Sequence, residues 1–317
     1  VNKADKAKKQ VTIIGYGSQG RAIALNLRDS GWKVVIGLRP RSKSRAKAKR
    51  DRFTQIWSIP EAVRKASNVI MAIPDHEHGR VFEREIRPSL SSDSALVFLH
   101  GLSIHFGLVK PPRSCDVVLI APHAPGVALR EKYLSDRSVS AFVAVAQNPS
   151  RSGWKTARTL AGGIGVAPKR QINTTFEHEA IGDIFGEQAV LCGGLAMLIK
   201  HGFDTLVEAG VPPDNAWLEV AYQLDLIVGL VKNHGISGMF DRISVAARYG
   251  SLLAGPRIID QSVKRRMNHE LAGIRSGRFA QLLNSLNPRD IVALNKSLSR
   301  LTSPTLEKSA RKFSKKS

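Results

Sequence analysis

Two sets of residues in this sequence are of the type and spacing that do chemistry. The first is a glycine run, Gly15, Gly17 and Gly20, with Tyr16, Ser18 and Gln19 between them. A turn of this pattern gives a tight bend, an open backbone that a pyrophosphate can approach, and close packing for the helix that follows. That helix would offer free N–H groups and a positive dipole end to phosphates. The second set is acidic and helically spaced: Asp183 and Glu187 stand four apart, and Glu219 stands four before Gln223. Side chains at i and i+4 share a helix face, and paired oxygen donors suit a hard divalent cation. Spaced acids usually just solvate a helix, but Asp183 and Glu187 are embedded in the apolar, glycine-containing stretch IFGEQAVLCGG. A charge is normally excluded from such surroundings, so both acids are expected to be buried with partners.

The elements that must position these residues follow from the pattern around them. An apolar β-branched strand over 11–14 precedes the glycines, an amphipathic helix over 18–29 follows them, Gly31 stops it, and a second strand runs over 33–38. An NAD site usually carries an acid at the end of that second strand. Here Arg39, Ser42, Lys43 and Ser44 stand there instead, two cations and two hydroxyls suited to a 2′-phosphate, which favours NADP(H). The alternation continues with a helix over 43–50, a strand over 54–57 and a helix opened by Ser58 and Pro60. Further strands are expected over 68–73, 95–99, 117–121 and 139–145, giving an α/β, doubly wound parallel sheet of Rossmann type. Ligands bind such sheets at the carboxyl ends of the strands, where Pro74 and Asp75, His100 and Gly101, and Pro122 and His123 fall. Beyond residue 172 helical patterns replace the strands. The expected organisation is a cofactor-binding domain over 1–172, an all-α domain over 173–302 and a basic, frayed tail over 303–317.

Composition narrows the class. The chain has 317 residues, 43% hydrophobic, enough for about two domains. Its 48 Lys and Arg exceed its 26 Asp and Glu, for a formal charge of +22. The cations are scattered and few aromatics lie among them, so a solvated basic surface is favoured over nucleic-acid binding. Cys115 and Cys192 read as packing residues of a protein in a reducing compartment. No signal peptide opens the chain and no apolar run is expected to span a bilayer, which implies a soluble protein of the cytoplasm or an organelle matrix.

GYGSQG, GLRPRSKS, HGLSIHFGLVKPP, APHAPG, TTFEHEAIGDIFGEQAVLCGG, LVEAGVPP and AARYG together resemble ketol-acid reductoisomerase, in its short form with one helical domain. The resemblance implies NADPH contacts from Tyr16, Gly17, Ser18 and Gln19, from Arg39, Ser42 and Ser44, from Asp75, His76, Glu77 and His78, and from Gly126. It implies two magnesium ions held by Asp183, Glu187 and Glu219, with Gln223 at a fourth ligand position, an active-site role for His100, and substrate contact from Ser244. The helical domain would be knotted and would dimerise, the Glu219 pair coming from the neighbouring subunit. The implied reaction is alkyl migration in a 2-hydroxy-2-keto acid such as 2-acetolactate, followed by reduction to a 2,3-dihydroxy acid in branched-chain amino acid biosynthesis. The chain departs from the family where His123 replaces a lysine, Gln223 a glutamate, Arg242 a serine and Arg248 a glutamate. An amide oxygen holds magnesium less well than a carboxylate. A histidine at 123 could ligate a softer metal or titrate as a base near neutrality. A paralogue that reduces another keto acid without isomerisation, or that has lost catalysis, is the alternative.

Overall fold

The computed structural model describes residues 9–64, 66–298 and 301–314. The first eight residues and the last three of the basic tail lie outside the described residues. The chain divides into two compact units, one running to Gly182 and taking back Phe279–Ser285, the other formed by Asp183–Arg278 and the residues from Leu286 onward.

The first unit is built on eight strands: β1 (Gln10–Ile14), β2 (Lys33–Gly37), β3 (Ile56–Trp57), β4 (Asn68–Met71), β5 (Ala95–Phe98), β6 (Asp116–Pro122), β7 (Ala141–Gln147) and β8 (Gln171–Asn173). They lie in the order β3-β2-β1-β4-β5-β6-β7-β8. Helix α1 (Ser18–Asp29) links β1 to β2, α2 (Ser44–Arg50) links β2 to β3, and α3 (Ile59–Arg64) links β3 to β4. Alternate side chains enter opposite cores: Val11, Ile13 and Ile70 pack with Ile23 and Leu27 of α1, whereas Ile14, Val69 and Met71 pack with Val63 of α3 and Phe82. A sheet covered on both faces follows from this alternation of apolar side chains.

The sheet is mixed, which corrects the expectation of a parallel one. β7 pairs antiparallel with β6 and parallel with β8, so the last two strands run against the other six. Helices α4 (Asp75–Val81), α5 (Leu102–His105) and α6 (Gly126–Leu134) follow in the chain. α6 starts against α1, where a Cβ on Gly126 would lie 2.3 Å from the Ser18 carbonyl oxygen. After α6 the chain re-enters the sheet beside the end it left, with Ala141 opposite Pro122 and the His123 N–H donating to the Ser140 carbonyl at 2.9 Å. A parallel strand would have to enter from the opposite end.

The second unit is helical. α7 (Gly153–Gly163) and most of α8 (Phe176–Gly186) belong to the first unit; the second takes up the end of α8, then α9 (Gly193–Glu208), α10 (Pro213–Trp217), α11 (Leu224–Phe240), α12 (Val245–Ile258) and α13 (Gln261–Arg275). Widened π turns interrupt it at Glu187–Leu191 and Leu218–Tyr222. Gly193 and Gly194 permit the first, since a Cβ on either would lie 2.3 or 2.1 Å from the Gln188 or Ala189 carbonyl oxygen. α11 bends at Gly235, whose φ is 71°. After α14 (Arg278–Asn284) and α15 (Pro288–Leu298) comes α16 (Pro304–Phe313), where the sequence suggested a frayed end. Ser303 caps α16 by accepting from the Leu306 N–H, and Leu306 is buried against Phe203 and Ala216.

Phe176–Glu208 is long and apolar enough to cross a membrane by length and composition, contrary to the expectation that no run reaches that length. Its carboxylates lie towards its two ends, Glu177, Glu179, Asp183 and Glu187 at one and Asp204 and Glu208 at the other, and the stretch 188–199 between them carries no charge. Cys115 is buried as expected, but Cys192 is exposed in the single chain.

Candidate functional site

The glycine turn has the shape its sequence implies. Gly15 has φ +101°, and a Cβ there would lie 2.4 Å from the Ala72 carbonyl oxygen. Gly20 approaches Gly15 closely enough that a Cβ would lie 3.0 Å from its carbonyl oxygen. Nothing lies within 4 Å of a Cβ on Gly17, so the turn is open on that side. Ser18 is exposed at the start of α1. Gln19 donates to the Ala124 carbonyl at 3.0 Å, while its Oε1 is buried without a hydrogen-bond partner. The open backbone and the free N–H groups at the helix start fit a dinucleotide phosphate.

Other nominated cofactor residues are placed less uniformly. Tyr16 turns inward, where its ring is buried edge-on to Phe53 and its hydroxyl donates to Asp51 Oδ2 at 2.8 Å. Arg39 is exposed and pairs at 3.6 Å with Glu77, which also pairs with Arg80. Ser42 Oγ accepts from the Ser44 N–H at 3.3 Å, which shapes the segment before α2. Asp75 opens α4. His78 is 2% exposed; its Nε2 meets the Ile73 carbonyl at 3.0 Å and its Nδ1 meets Ser103 Oγ at 2.8 Å. Burial pushes its pKa below the ordinary value, against the nearby Asp75 carboxylate. The neutral ring thus donates from Nε2 and accepts at Nδ1. Its side chain belongs to the core.

His100, at the end of β5, meets a residue that sequence reasoning missed. Glu179 of α8 is 4% exposed, and its Oε2 accepts from the Gly101 N–H at 2.6 Å and lies 3.1 Å from His100 Nδ1. Gly101 makes the approach possible, since a Cβ there would lie 2.8 Å from that same oxygen. Glu179 stands four before Asp183, which stands four before Glu187. Extending the helical series back by one turn would have found it. Because α8 is one continuous helix, Asp183 follows Glu179 by a turn, and the ligand atoms of His100, Glu179 and Asp183 lie within 4.8 Å of one another. Among the described residues this is the one grouping of its kind.

Asp183 and Glu187 are exposed, not buried as expected; the buried acid of the series is Glu179. The reason is that the apolar neighbours Val190 and Leu191 are themselves 50% and 66% exposed, so the face has no cover within the chain. Glu187 and Glu219 each enter one of the two π turns, a backbone form that recurs at functional sites. Gln223 donates from Nε2 to Glu219 Oε2 at 3.3 Å and to the Leu218 carbonyl. An ionised carboxylate at 223 could not donate in this way. Ser244 is exposed and caps α12, accepting from the Ala247 N–H at 3.1 Å. His123, exposed past the end of β6, stacks edge-on to Phe142 at 4.4 Å. Arg242 donates to the Gly238 carbonyl, and Arg248 pairs with Asp241 at 3.3 Å.

Two family models divide the chain between them: acetohydroxy acid isomeroreductase, NADPH-binding domain, over residues 6–169, and ketol-acid reductoisomerase, C-terminal domain, over residues 176–315. The chain belongs to the ketol-acid reductoisomerase family. It is 48% identical to a ketol-acid reductoisomerase (NADP(+)) of Pyrobaculum aerophilum over 86% of this chain and 83% of the relative. It is 46% identical to the Xanthomonas campestris protein of the same name over 86% and 81%. Its structure is similar to that of an NADH-preferring ketol-acid reductoisomerase from an uncultured archean, with a TM-score of 0.92 at 36% identity over 99% of this chain and 96% of that one. The protein is thus an NADP-dependent oxidoreductase of this family.

Proposed function

We propose that the chain is a metal-assisted, NADPH-dependent reductoisomerase that converts a 2-acetolactate-type 2-hydroxy-2-keto acid into a 2,3-dihydroxy acid. The observation that carries this reading is the buried Glu179 carboxylate on His100 Nδ1, beside the Asp183 oxygens. The carboxylate fixes the proton of the neutral ring on Nδ1, which puts the lone pair on Nε2 and makes His100 a base of set orientation. Asp183 and Glu187 from one chain, with Glu219 and Gln223 from another, would hold magnesium. Their donors are oxygens, as a hard cation requires. Bound there, the cations would polarise the ketone and acidify the hydroxyl whose proton must leave before the alkyl group migrates. Gly15, Gly17, Ser18, Gln19 and Gly20 would receive the pyrophosphate, with Gly126 closing against Ser18. Arg39, Ser42 and Ser44 would hold the 2′-phosphate, and Asp75 and Glu77 would border the ribose. Ser244 would meet the substrate carboxylate.

A second copy is part of this reading. Leu226, Ile236, Val245, Tyr249, Leu252 and Ile258 are each more than half exposed on the helical unit. Large apolar side chains exposed in this number on one unit support an association surface. A homodimer, interlocked through a knotted helical domain, would cover it, and the uncharged stretch 188–199 with it.

The amide of Gln223 bonded to Glu219 supports the second reading, reduction without isomerisation. The two readings separate on substrate. Supplied with NADPH and Mg²⁺, a reductoisomerase consumes 2-acetolactate and its already rearranged 3-hydroxy-2-keto isomer alike. Consumption of the rearranged isomer alone would refute isomerisation and establish the second reading.

A further inference from the structure

Asp51 lies outside every cofactor-binding motif, yet its carboxylate takes three side-chain hydrogen bonds. Arg21 of α1 reaches it with two parallel hydrogen bonds, Nε to Oδ2 at 2.6 Å and Nη2 to Oδ1 at 2.8 Å. Tyr16 of the glycine turn donates to Oδ2 at 2.8 Å. Arg28, about two turns further along the same face of α1, donates to the Asp51 carbonyl at 2.6 Å and lies over the Phe53 ring at 5.0 Å. These bonds hold a turn that is otherwise strained: Arg52 has φ +65°, a left-handed conformation costly for a side chain. Arginine forks on carboxylates are geometrically specific, so the turn is held in direction as well as distance.

The consequence runs along α2. This helix of seven residues ends at Asp51 and begins at Ser44, so it is a short rod fixed at its far end by Asp51. At its near end Arg45 donates to the carbonyls of Leu38, Ile56 and Trp57 at 3.2, 3.0 and 3.3 Å, tying it to the ends of β2 and β3. The segment from Arg39 to Ser44 is strung between β2 and this rod. On the reading that this segment holds the 2′-phosphate, its position depends on both anchors.

We propose that Asp51 is a positioning residue for cofactor choice: through Arg21 and Tyr16 it sets the place of the 39–44 segment, and so the preference for NADP(H) over NAD(H). The glycine turn meets groups that the two cofactors share, whereas the 39–44 segment meets the 2′-phosphate that only one carries. Loosening the rod therefore costs NADP(H) selectively.

The test compares NADP⁺ and NAD⁺ affinities by calorimetry on the full chain. Asp51→Asn should weaken NADP⁺ about tenfold, the scale of one charge-assisted hydrogen bond, and NAD⁺ by less than about twofold. Arg21→Lys keeps the charge and loses the fork. Arg21 is half open to solvent, so that variant folds and should show a smaller loss in the same direction. Equal weakening of both cofactors, or no weakening beside a lowered melting temperature, would overturn the proposal. Arg39→Ala separates it from the reading it rests on. If Arg39→Ala spares NADP⁺, the 2′-phosphate segment is wrongly placed; if it selectively weakens NADP⁺ while Asp51→Asn does not, only the positioning role fails.

Discussion

At the scale of the residue, the two buried histidine neighbourhoods do opposite work. His100 is held by a carboxylate, whereas His78 is held by a carbonyl and a hydroxyl, neither of which stabilises a charge as a carboxylate does. His78 is thereby kept neutral by burial, with Asp75 favouring protonation and His100 and His76 opposing it. Its folded pKa lies below that of the unfolded chain, about 6.5. Below that pH the unfolded state binds a proton that the native state refuses, so this stabilisation is full above about pH 6.5 and declines as pH falls. Thermal unfolding at pH 7 and pH 5 should show a larger drop for the native chain than for His78→Asn. An equal or larger drop for the variant would rule the assignment out. The sequence showed His100 and His78 as positions on a motif, but not what faces them. Glu179 itself was legible as one more turn of the acid series before Asp183, but its pairing with His100, 79 residues away in the chain, was not, since only folding brings the two together.

At the scale of the element, helix periodicity and glycine punctuation placed β1, α1 and β2 almost to the residue, because a strand, a turn and a helix in sequence constrain one another locally. The reversal of β7 and β8 was not legible, since strand direction is a matter of long-range pairing, here β7 against β6, that no local pattern encodes. The C-terminal helix α16 was missed for a related reason. Its basic composition suggested a frayed end, but Leu306 and Ser309 make one inward face. Ser309 donates to Asp214 at 2.9 Å, Lys312 pairs with the same carboxylate, and Phe313 meets Tyr222 edge-on at 6.3 Å. α16 thereby braces α10 and the π turn that carries Glu219. Leu306→Ala should destabilise the chain by about 2–4 kcal/mol, the usual cost of emptying a buried leucine site. Denaturant unfolding measures this, and a change below about 0.5 kcal/mol would show that α16 is not an integral part of the core.

At the scale of the whole molecule, the chain leaves its carboxylate pairs on open faces flanked by apolar side chains that a soluble monomer would not expose. Composition could not reveal this: a strongly basic chain suggested charge as its salient surface property, whereas the exposed leucines and isoleucines of the helical unit are apparent only once helices assign them a side. On the function proposed above, each reductoisomerase site takes Asp183 and Glu187 from one copy and Glu219 and Gln223 from another. Subunit complementation tests it most directly. Asp183→Asn and Glu219→Gln chains are each assayed for Mg²⁺-dependent NADPH oxidation with 2-acetolactate, then mixed, dissociated and reassociated. Each variant alone should be nearly inactive. Random pairing makes half the dimers mixed, and in those one of two sites carries neither change, so about a quarter of native activity should return. A mixture no more active than its parts would contradict a site completed by a second copy.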